Sequence, residues 1–224
     1  ETETLSLLEL EIWSRFDQVI VTGGSGLYID ALCKGIDLMP DIPQDIRQKW
    51  KDAYQQKGIE FLQHSLFQKD PQYFAEVDQA NPKRLMRALE VIDVSGRPFS
   101  AFRQNKAKIR DFNIIKIALE LPRGVLYQRI DGRMDEMIGK GLFEEAEALF
   151  PQRDLQALQT VGYREIFDFM EGKYDREEAI RLLKRNSRRY AKRQMTWFKR
   201  DKEYQWFSPD QLNDITEYIN SNLQ

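Results

Sequence analysis

The sequence is poor in cysteine and histidine, with one of each among 224 residues. A single cysteine cannot form a disulfide within the chain, which fits a reducing compartment. The same scarcity argues against a zinc site, because cysteine and histidine are its usual ligands. No apolar run approaches the roughly 20 residues that cross a bilayer, and no basic region of a signal peptide opens the chain. We therefore expect a cytoplasmic protein without a membrane partner.

An excess of charge of either sign is also absent. The chain has 34 Lys and Arg against 36 Asp and Glu, a net charge of −2. Overall charge therefore gives no sign of nucleic-acid binding, and any basic surface must be local. Hydrophobic residues make up 42% of the chain and aromatic residues 12%, which is enough for a packed core.

The apolar pattern predicts an α/β protein with a helical segment inside it. A β-branched strand, Val19–Val21, runs into a glycine turn at residues 22–26 and then into a helix, a unit typical of α/β folds. Strand patterns return at residues 113–121 and 204–207. Only helical patterns occur between about 41 and 108. The sequence thus predicts an α/β core, residues 1–40 and 109–224, with an inserted all-helical domain, residues 41–108.

Short local signals predict where several helices begin and end. Asp70 and Asn81 each precede a proline, which places a capping side chain before the first turn of a helix. Gly96 marks a stop. Asp175, three residues before a glutamate, resembles a capping box at the start of a long helix.

That long helix is strongly basic. Between Arg181 and Lys202 stand ten basic residues and a single acid, Asp201. Leu183, Tyr190 and Trp197 share the opposite face, which we expect to pack. The spacing leaves two interpretations open: a surface that contacts phosphates, or a charged face paired with acids elsewhere in the chain. Helical geometry gathers six of the basic residues within about 100° of arc: Arg181, Lys184, Arg185, Arg188, Lys192 and Lys199.

Two further patterns could hold a phosphate group. The glycine turn could present backbone N–H groups to an anion, although close packing of strand and helix is the simpler explanation. It is not a Walker A loop, Gly-x-x-x-x-Gly-Lys-Ser/Thr, which occurs nowhere in the chain. Arg129 and Arg133, four residues apart on a helix, could grip a diphosphate. The alternative for these arginines is pairing within the helix to Asp131, Asp135 or Glu136.

Four segments, taken in order, resemble the bacterial tRNA dimethylallyltransferase family, also called tRNA isopentenyltransferases. The first is residues 21–32, which begin Val-Thr-Gly-Gly-Ser-Gly-Leu-Tyr, and the second is residues 81–98, which begin Asn-Pro-Lys-Arg-Leu-Met-Arg. The third is residues 121–133, which begin Leu-Pro-Arg. The fourth joins Thr-Val-Gly-Tyr-Arg at 160–164 to Arg-Arg-Tyr-Ala-Lys-Arg-Gln-Met-Thr-Trp-Phe at 188–198. Each motif is weak alone, whereas the ordered set over nearly the whole chain is specific.

The resemblance implies a fold and a reaction. The fold is a P-loop-like, nucleotide-binding (ATP-binding) α/β core with a parallel sheet, carrying a helical insert that grips the anticodon arm of tRNA. The reaction moves a dimethylallyl group from dimethylallyl diphosphate to N6 of the adenine 3′ of the anticodon, with that adenine flipped out. The resemblance further implies Mg²⁺ as a cofactor, the tRNA anticodon stem-loop as a partner, and a monomer when the chain is complete.

The resemblance also implies roles for particular residues. Ser25 matches a position that contacts the tRNA at the target base, and Gly23, Gly24, Arg129 and Arg133 match positions near the donor diphosphate. The positions that match tRNA-binding stretches are the following: Arg47, Lys83, Arg84, Leu85, Met86, Arg87, Gln159, Thr160, Val161, Gly162, Tyr163, Arg164, Arg188, Lys192, Arg193, Gln194, Met195, Thr196, Trp197, Phe198 and Lys199.

Two family features are missing from the sequence. One is the P-loop that holds diphosphate and metal, and the other is an Asp-Ser motif whose aspartate is the proposed general base. We therefore expect an N-terminally truncated chain that is inactive alone and whose main Mg²⁺ ligands lie in the missing segment. We also expect a sheet short of strands, with an exposed edge. The alternative function is a non-catalytic RNA-binding module; a P-loop kinase relative is a third, weakened by the missing Walker loop.

Overall fold

The structure, a computed structural model, describes residues 2–103 and 108–223. The chain divides into two compact units, one of residues 1–21 with 27–111, the other of residues 22–26 with 112–224. The domain boundaries predicted at residues 41 and 108 stay a prediction.

The regular elements among the described residues of the first unit are all helical. A short helix α1 (Thr2–Leu7) continues as a π-helical turn, and α2 (Gly26–Lys34) follows the glycine turn. Helices α3 (Gln44–Lys69), α4 (Pro71–Glu76) and α5 (Pro82–Ser95) come next, and a 3₁₀ turn ends the series at Phe99–Ala101.

The predicted helix ends of this unit are confirmed. The Asn81 side chain accepts a hydrogen bond from the Arg84 N–H at 3.3 Å, which caps α5. Gly96 ends the same helix with φ +67°, a left-handed conformation that glycine adopts at no steric cost. Between the helices, Leu62 and Leu66 of α3 pack with Leu89 of α5, all without exposed surface, because apolar residues recur every three or four positions.

Asp93 joins α3 to α5 at the edge of this core. Its Oδ2 lies 2.7 Å from Lys49 Nζ and accepts a hydrogen bond from Trp50 Nε1 at 3.0 Å, while Oδ1 lies 2.7 Å from Lys69 Nζ. Burial of the carboxyl opposes ionisation, but hydrogen bonds from Lys49 and Lys69 outweigh it and lower the pKa of Asp93. A carboxylate thus ties two lysines and a buried tryptophan together.

We expect Asp93→Asn to lower the free energy of unfolding at pH 7 by about 1–3 kcal/mol, since hydrogen bonds to a charged acceptor are lost. The folded pKa lies below the unfolded value, so the stabilisation is present above the unfolded pKa and is lost as pH falls through the folded pKa. Urea unfolding of both proteins should therefore differ at pH 7 and converge in acid. Glu60→Gln, an exposed carboxylate on α3, is the control and should change stability little at either pH.

The second unit holds a small parallel sheet among helices. Strands β1 (Ile117–Leu119) and β2 (Gln205–Phe207) pair with Ile117 opposite Gln205 and Leu119 opposite Phe207. The remaining helices are α6 (Arg123–Gly139), α7 (Leu142–Leu149), α8 (Tyr163–Met170), α9 (Arg176–Phe198) and α10 (Leu212–Asn222). Single 3₁₀ turns lie at Phe150–Gln152 and Gln156–Leu158. The fold is thus mostly helical with a small parallel sheet.

The sheet is smaller than the sequence predicts. The predicted strand at 113–121 is limited to β1, because its partner β2 is itself three residues long. The prediction of a strand at Val19–Val21 is wrong: these residues pair with no strand among the described residues, and Ile20 is 89% exposed. A β-branched run favours extended backbone, but a strand also needs a neighbour to bond.

Lys116, just before β1, is the buried residue of that segment. Its Nζ lies 2.9 Å from Asp201 Oδ2 and also bonds Glu203, in the connection from α9 to β2. Burial acts to lower the pKa of Lys116, but the hydrogen bonds that Lys116 donates to Glu203 and Asp201 prevail and raise it. The ion pairs explain why a lysine faces inward here while Leu119 stays exposed.

Candidate nucleic-acid interface

Helix α9 begins where the sequence predicts. Asp175 Oδ1 accepts a hydrogen bond from the Glu178 N–H at 2.8 Å, so one of the free amides of the first turn is satisfied. Leu183 is fully buried against the core of α7 and α8. The prediction that Tyr190 packs is wrong, because its side chain is 44% exposed. Trp197, on the same predicted face, is half-buried.

In the first half of the cationic face, Lys184 and Arg188 form ion pairs with acids of the same chain. Arg188 Nη1 lies 2.5 Å from Asp131 Oδ1, and Lys184 Nζ lies 2.6 Å from Asp135 Oδ1. The two acids are four residues apart on α6, as the two cations are on α9, so successive turns of the helices match. For this half, the interpretation of a face paired with acids is confirmed, and Arg188 locks α9 to α6.

In the second half of α9, three basic side chains are exposed and can contact a ligand. Arg189, Lys192 and Arg193 are exposed and form no ion pair among the described residues. Arg193 lies over the Tyr190 ring, 5.6 Å from its centroid. Lys199 is instead 2.8 Å from Glu120 Oε2. We name Arg189, Lys192 and Arg193 the cationic surface of α9, since these exposed side chains can meet a phosphate at low cost. Of the three, Lys192 belongs to the predicted arc of six basic residues, whereas Arg189 and Arg193 lie outside that arc.

The glycine turn packs directly on this half of α9. The Gly24 carbonyl accepts a hydrogen bond from Gln194 Nε2 at 2.7 Å. A Cβ at Gly26 would lie 2.2 Å from Trp197 Cδ1, closer than real atoms approach. The turn is therefore closely packed, but against α9 and not between a strand and the helix that follows, because residues 19–21 form no strand. Ser25 lies half-buried between these two glycines, and Gly23 faces open space.

The loop of residues 159–164, which includes the first two residues of α8, is held by three hydrogen bonds. Gln159 Nε2 donates to the Arg153 carbonyl at 2.6 Å, and the Tyr163 hydroxyl donates to Glu145. That hydrogen bond, with burial and the charge of Glu145, raises the pKa of Tyr163. Between these points, the Gly162 N–H donates to Glu165 Oε2 at 2.9 Å. The loop predicted to bind tRNA is thus ordered by its own contacts.

Glu165 is a residue that the sequence analysis missed. It lies in the first turn of α8, is 5% exposed, and its second oxygen accepts from Asn186 Nδ2 on α9 at 2.7 Å. The available signal was the spacing Gly162-x-x-Glu165, which matches a capping box except that glycine replaces Ser or Thr. The link to Asn186 has no sequence signal, because it joins two helices.

In the first unit, the predicted tRNA-binding residues fall into two groups. Lys83 and Arg84 of α5 and Arg47 of α3 are exposed, so they can reach a ligand. Leu85 has no exposed surface and belongs to the core with Leu89, so its side chain cannot contact RNA in this structure. Met86 packs partly against the same core.

Arg87 and Arg47 both act on the partly buried carboxyl of Glu90. Arg87 Nη1 lies 3.8 Å from Glu90 Oε2. Burial raises the pKa of Glu90, while the positive charges of Arg87 and Arg47 oppose the rise. Two predicted tRNA-binding arginines, distant in sequence, therefore lie on one side of the helical unit.

Arg129 and Arg133 are exposed on α6 and form no ion pair among the described residues. The alternative that they pair within their helix is wrong for Asp131 and Asp135, which face α9 instead. Their role at a diphosphate stays a prediction.

The described residues include no group of three or more His, Cys, Asp and Glu side chains that could hold a metal ion. Across residues 2–103 and 108–223, no helix combines the length and the apolar character that crossing a membrane requires.

The sequence matches the IPP transferase family over residues 1–201. It is 47% identical to the tRNA dimethylallyltransferase of Cytophaga hutchinsonii over 224 residues, which is 100% of this chain and 73% of the relative. It is 42% identical to tRNA dimethylallyltransferase 1 of Bacteroides fragilis, over 100% of this chain and 74% of the relative.

Solved structures show the same likeness. The crystal structure of the tRNA isopentenylpyrophosphate transferase of Bacillus halodurans matches with a TM-score of 0.65 and 33% identity, over 99% of this chain and 72% of the other. A eukaryotic dimethylallyltransferase solved while acting on tRNA matches in fold, with a TM-score of 0.67 and 24% identity over 88% of this chain and 50% of the other.

Proposed function

The chain belongs to the IPP transferase family, and we propose that it serves the transfer of a dimethylallyl group from dimethylallyl diphosphate to tRNA. The observation that carries the proposal is the glycine turn seated on α9 beside an exposed cationic surface. The acceptor is N6 of the adenine 3′ of the anticodon, which must leave the base stack to be reached. The partner is the anticodon stem-loop.

In this proposal the second unit meets the RNA through α9. Arg189, Lys192 and Arg193 contact phosphates, because long exposed cations displace counterions there at little cost. Ser25, held between Gly24 and Gly26, lies on the same part of α9 and meets the target base. The packed turn costs no reorganisation on binding, since Gln194 and Trp197 already fix it.

The donor end of the reaction needs its leaving diphosphate neutralised and the allylic transition state shielded from water. Arg129 and Arg133 are free to act on the diphosphate, because the neighbouring acids are occupied by α9. Mg²⁺, when bound, would add positive charge at the diphosphate. The sequence contains neither a Walker A motif nor an Asp-Ser dipeptide, so we propose that these 224 residues alone bind tRNA without transferring the group.

A non-catalytic RNA-binding module is the second candidate, because the exposed cations Arg189, Lys192 and Arg193 would serve it equally well. A prenylation assay with labelled donor and a stem-loop separates the two when the 224 residues are compared with the chain joined to a P-loop segment of a relative. Activity restored by that segment supports the transferase. Binding without activity in both supports the module.

The cationic surface is tested by Lys192→Ala combined with Arg193→Ala. We expect stem-loop affinity to fall about tenfold or more and the slope of log K against log salt to lose about one unit per contact. Lys184→Ala is the matched control, because Lys184 already pairs with Asp135. Fluorescence anisotropy at several salt concentrations measures both quantities. Equal losses in the double variant and the control would contradict the assignment of this surface.

A further inference from the structure

We propose that Glu165 is a positioning residue that holds the loop of residues 159–164 on α9 in the conformation that receives RNA. The inference rests on the proposed function, because it assumes that this loop contacts tRNA. Its basis is a single carboxylate with two partners: the Gly162 N–H at 2.9 Å on Oε2 and Asn186 Nδ2 at 2.7 Å on Oε1.

A charged group at this place needs a reason. Glu165 is 5% exposed, and moving a carboxylate out of water is costly unless its oxygens are bonded. Both partners are neutral, so no ion pair compensates. The first turn of α8 offers partial compensation, because the helix dipole favours negative charge there.

The second oxygen of Glu165 links α8 to α9, which a helix cap alone does not do. Through Oε1, Glu165 reaches Asn186, which lies on α9 one turn before the cationic surface. The backbone of Glu165 is fixed as well, since its carbonyl accepts from the Tyr174 hydroxyl at 2.8 Å. One side chain therefore sets the distance between the loop and the helix that we assign to RNA binding.

Gly162 is the part of the loop that needs this support. Its φ of +115° and ψ of −63° belong to a conformation that few residues adopt, and its N–H is buried. Without Glu165, that N–H loses its acceptor and the loop can leave this conformation. RNA binding would then have to order the loop, which lowers affinity without removing a single RNA contact.

The test compares Glu165→Ala, Glu165→Gln and Asn186→Ala in the full chain. Glu165→Ala should weaken stem-loop binding about tenfold, because the acceptor of one buried and one partly buried donor is removed. Glu165→Gln should stay within about threefold, since its oxygen can accept from Gly162 and its amide can bond Asn186 once that side chain turns over. Asn186→Ala should lie between the two. Because phosphate contacts are unchanged, the salt slope should match wild type in all three.

Amide hydrogen exchange at Gly162 gives a readout independent of RNA. Glu165→Ala should speed this exchange strongly, and Glu165→Gln should not. Glu177→Ala, an exposed carboxylate in the first turn of α9, is the matched control and should change neither exchange nor binding. Melting temperatures of all variants separate loop effects from loss of fold.

Failure of the positioning role and failure of the proposed function give different results. If wild type binds the stem-loop and Glu165→Ala binds equally well, the positioning role is overturned while the proposed function stands. If Glu165→Ala weakens binding while Gly162 exchanges at the wild-type rate, the loss does not come from the loop and the positioning role is again overturned. If wild type binds no stem-loop, the proposed function fails, and unchanged Gly162 exchange in Glu165→Ala would reject the positioning role separately.

Discussion

Replacing Gly26 with alanine is expected to weaken binding of an anticodon stem-loop by a factor between about 5 and 140, through a loss of packing worth about 1–3 kcal/mol. The added Cβ would lie 2.2 Å from Trp197 Cδ1 and 2.5 Å from its Nε1. An indole ring is rigid, so it can retreat only by leaving its rotamer or by pushing the turn away. Either movement separates the glycine turn from α9, and with it Ser25 from the cationic surface.

The two neighbouring glycines provide matched controls for that experiment. A Cβ at Gly24 would meet the end of the Gln194 side chain at 2.2 Å, which can rotate aside at the cost of one hydrogen bond. A Cβ at Gly23 would meet nothing within 4 Å. Affinity should therefore fall most for Gly26→Ala, less for Gly24→Ala and hardly at all for Gly23→Ala. Anisotropy titrations give the order, and a loss at Gly23 as large as at Gly26 would refute the packing account.

Asp70→Ala should produce the largest loss of stability, about 2–4 kcal/mol in the free energy of unfolding. Asp70 is 1% exposed, and its carboxylate accepts from the Tyr73 N–H at 3.0 Å and from the Ser100 N–H at 2.7 Å. The Ser100 hydroxyl adds a third hydrogen bond at 2.9 Å. Alanine leaves these donors without an acceptor and removes the cap of α4, while the link to the 3₁₀ turn is lost.

Urea unfolding at pH 7 measures this effect. Asp70→Asn should fall between wild type and alanine, because the amide keeps one oxygen as an acceptor. Asp78→Ala is the control: Asp78 is exposed and its carboxylate accepts from the Ala80 N–H at 3.1 Å, so the loss of this side chain should cost under about 1 kcal/mol. Equal midpoints for Asp70→Ala and wild type would contradict the capping role.

Local signals predicted the helix ends but not the sheet. The caps at Asn81, Gly96 and Asp175 are written within four residues, so they can be recognised without knowing what packs nearby. The strand at Val19–Val21 depended on a partner strand elsewhere, and none pairs with it among the described residues. β1 is likewise as short as the strand it pairs with.

At the site, too, motifs within a short stretch were recognised, whereas contacts between distant residues were not. The glycine turn and the basic helix were each recognised, yet their contact joins Gly24 to Gln194 across 170 positions. The pairing of Arg188 with Asp131 was one of two open interpretations, because spacing along one helix cannot reveal the charge on the helix facing it. Glu165 was missed since its partner Asn186 lies on another helix.

We propose that these 224 residues bind the anticodon arm of tRNA through α9. The most direct test is a titration of the wild-type chain against an unmodified anticodon stem-loop with adenine 3′ of the anticodon, between about 50 and 200 mM salt. We predict binding that weakens steeply with salt, with a slope set by the number of phosphate contacts. No binding at the lowest salt, or an affinity that salt does not change, would contradict the claim.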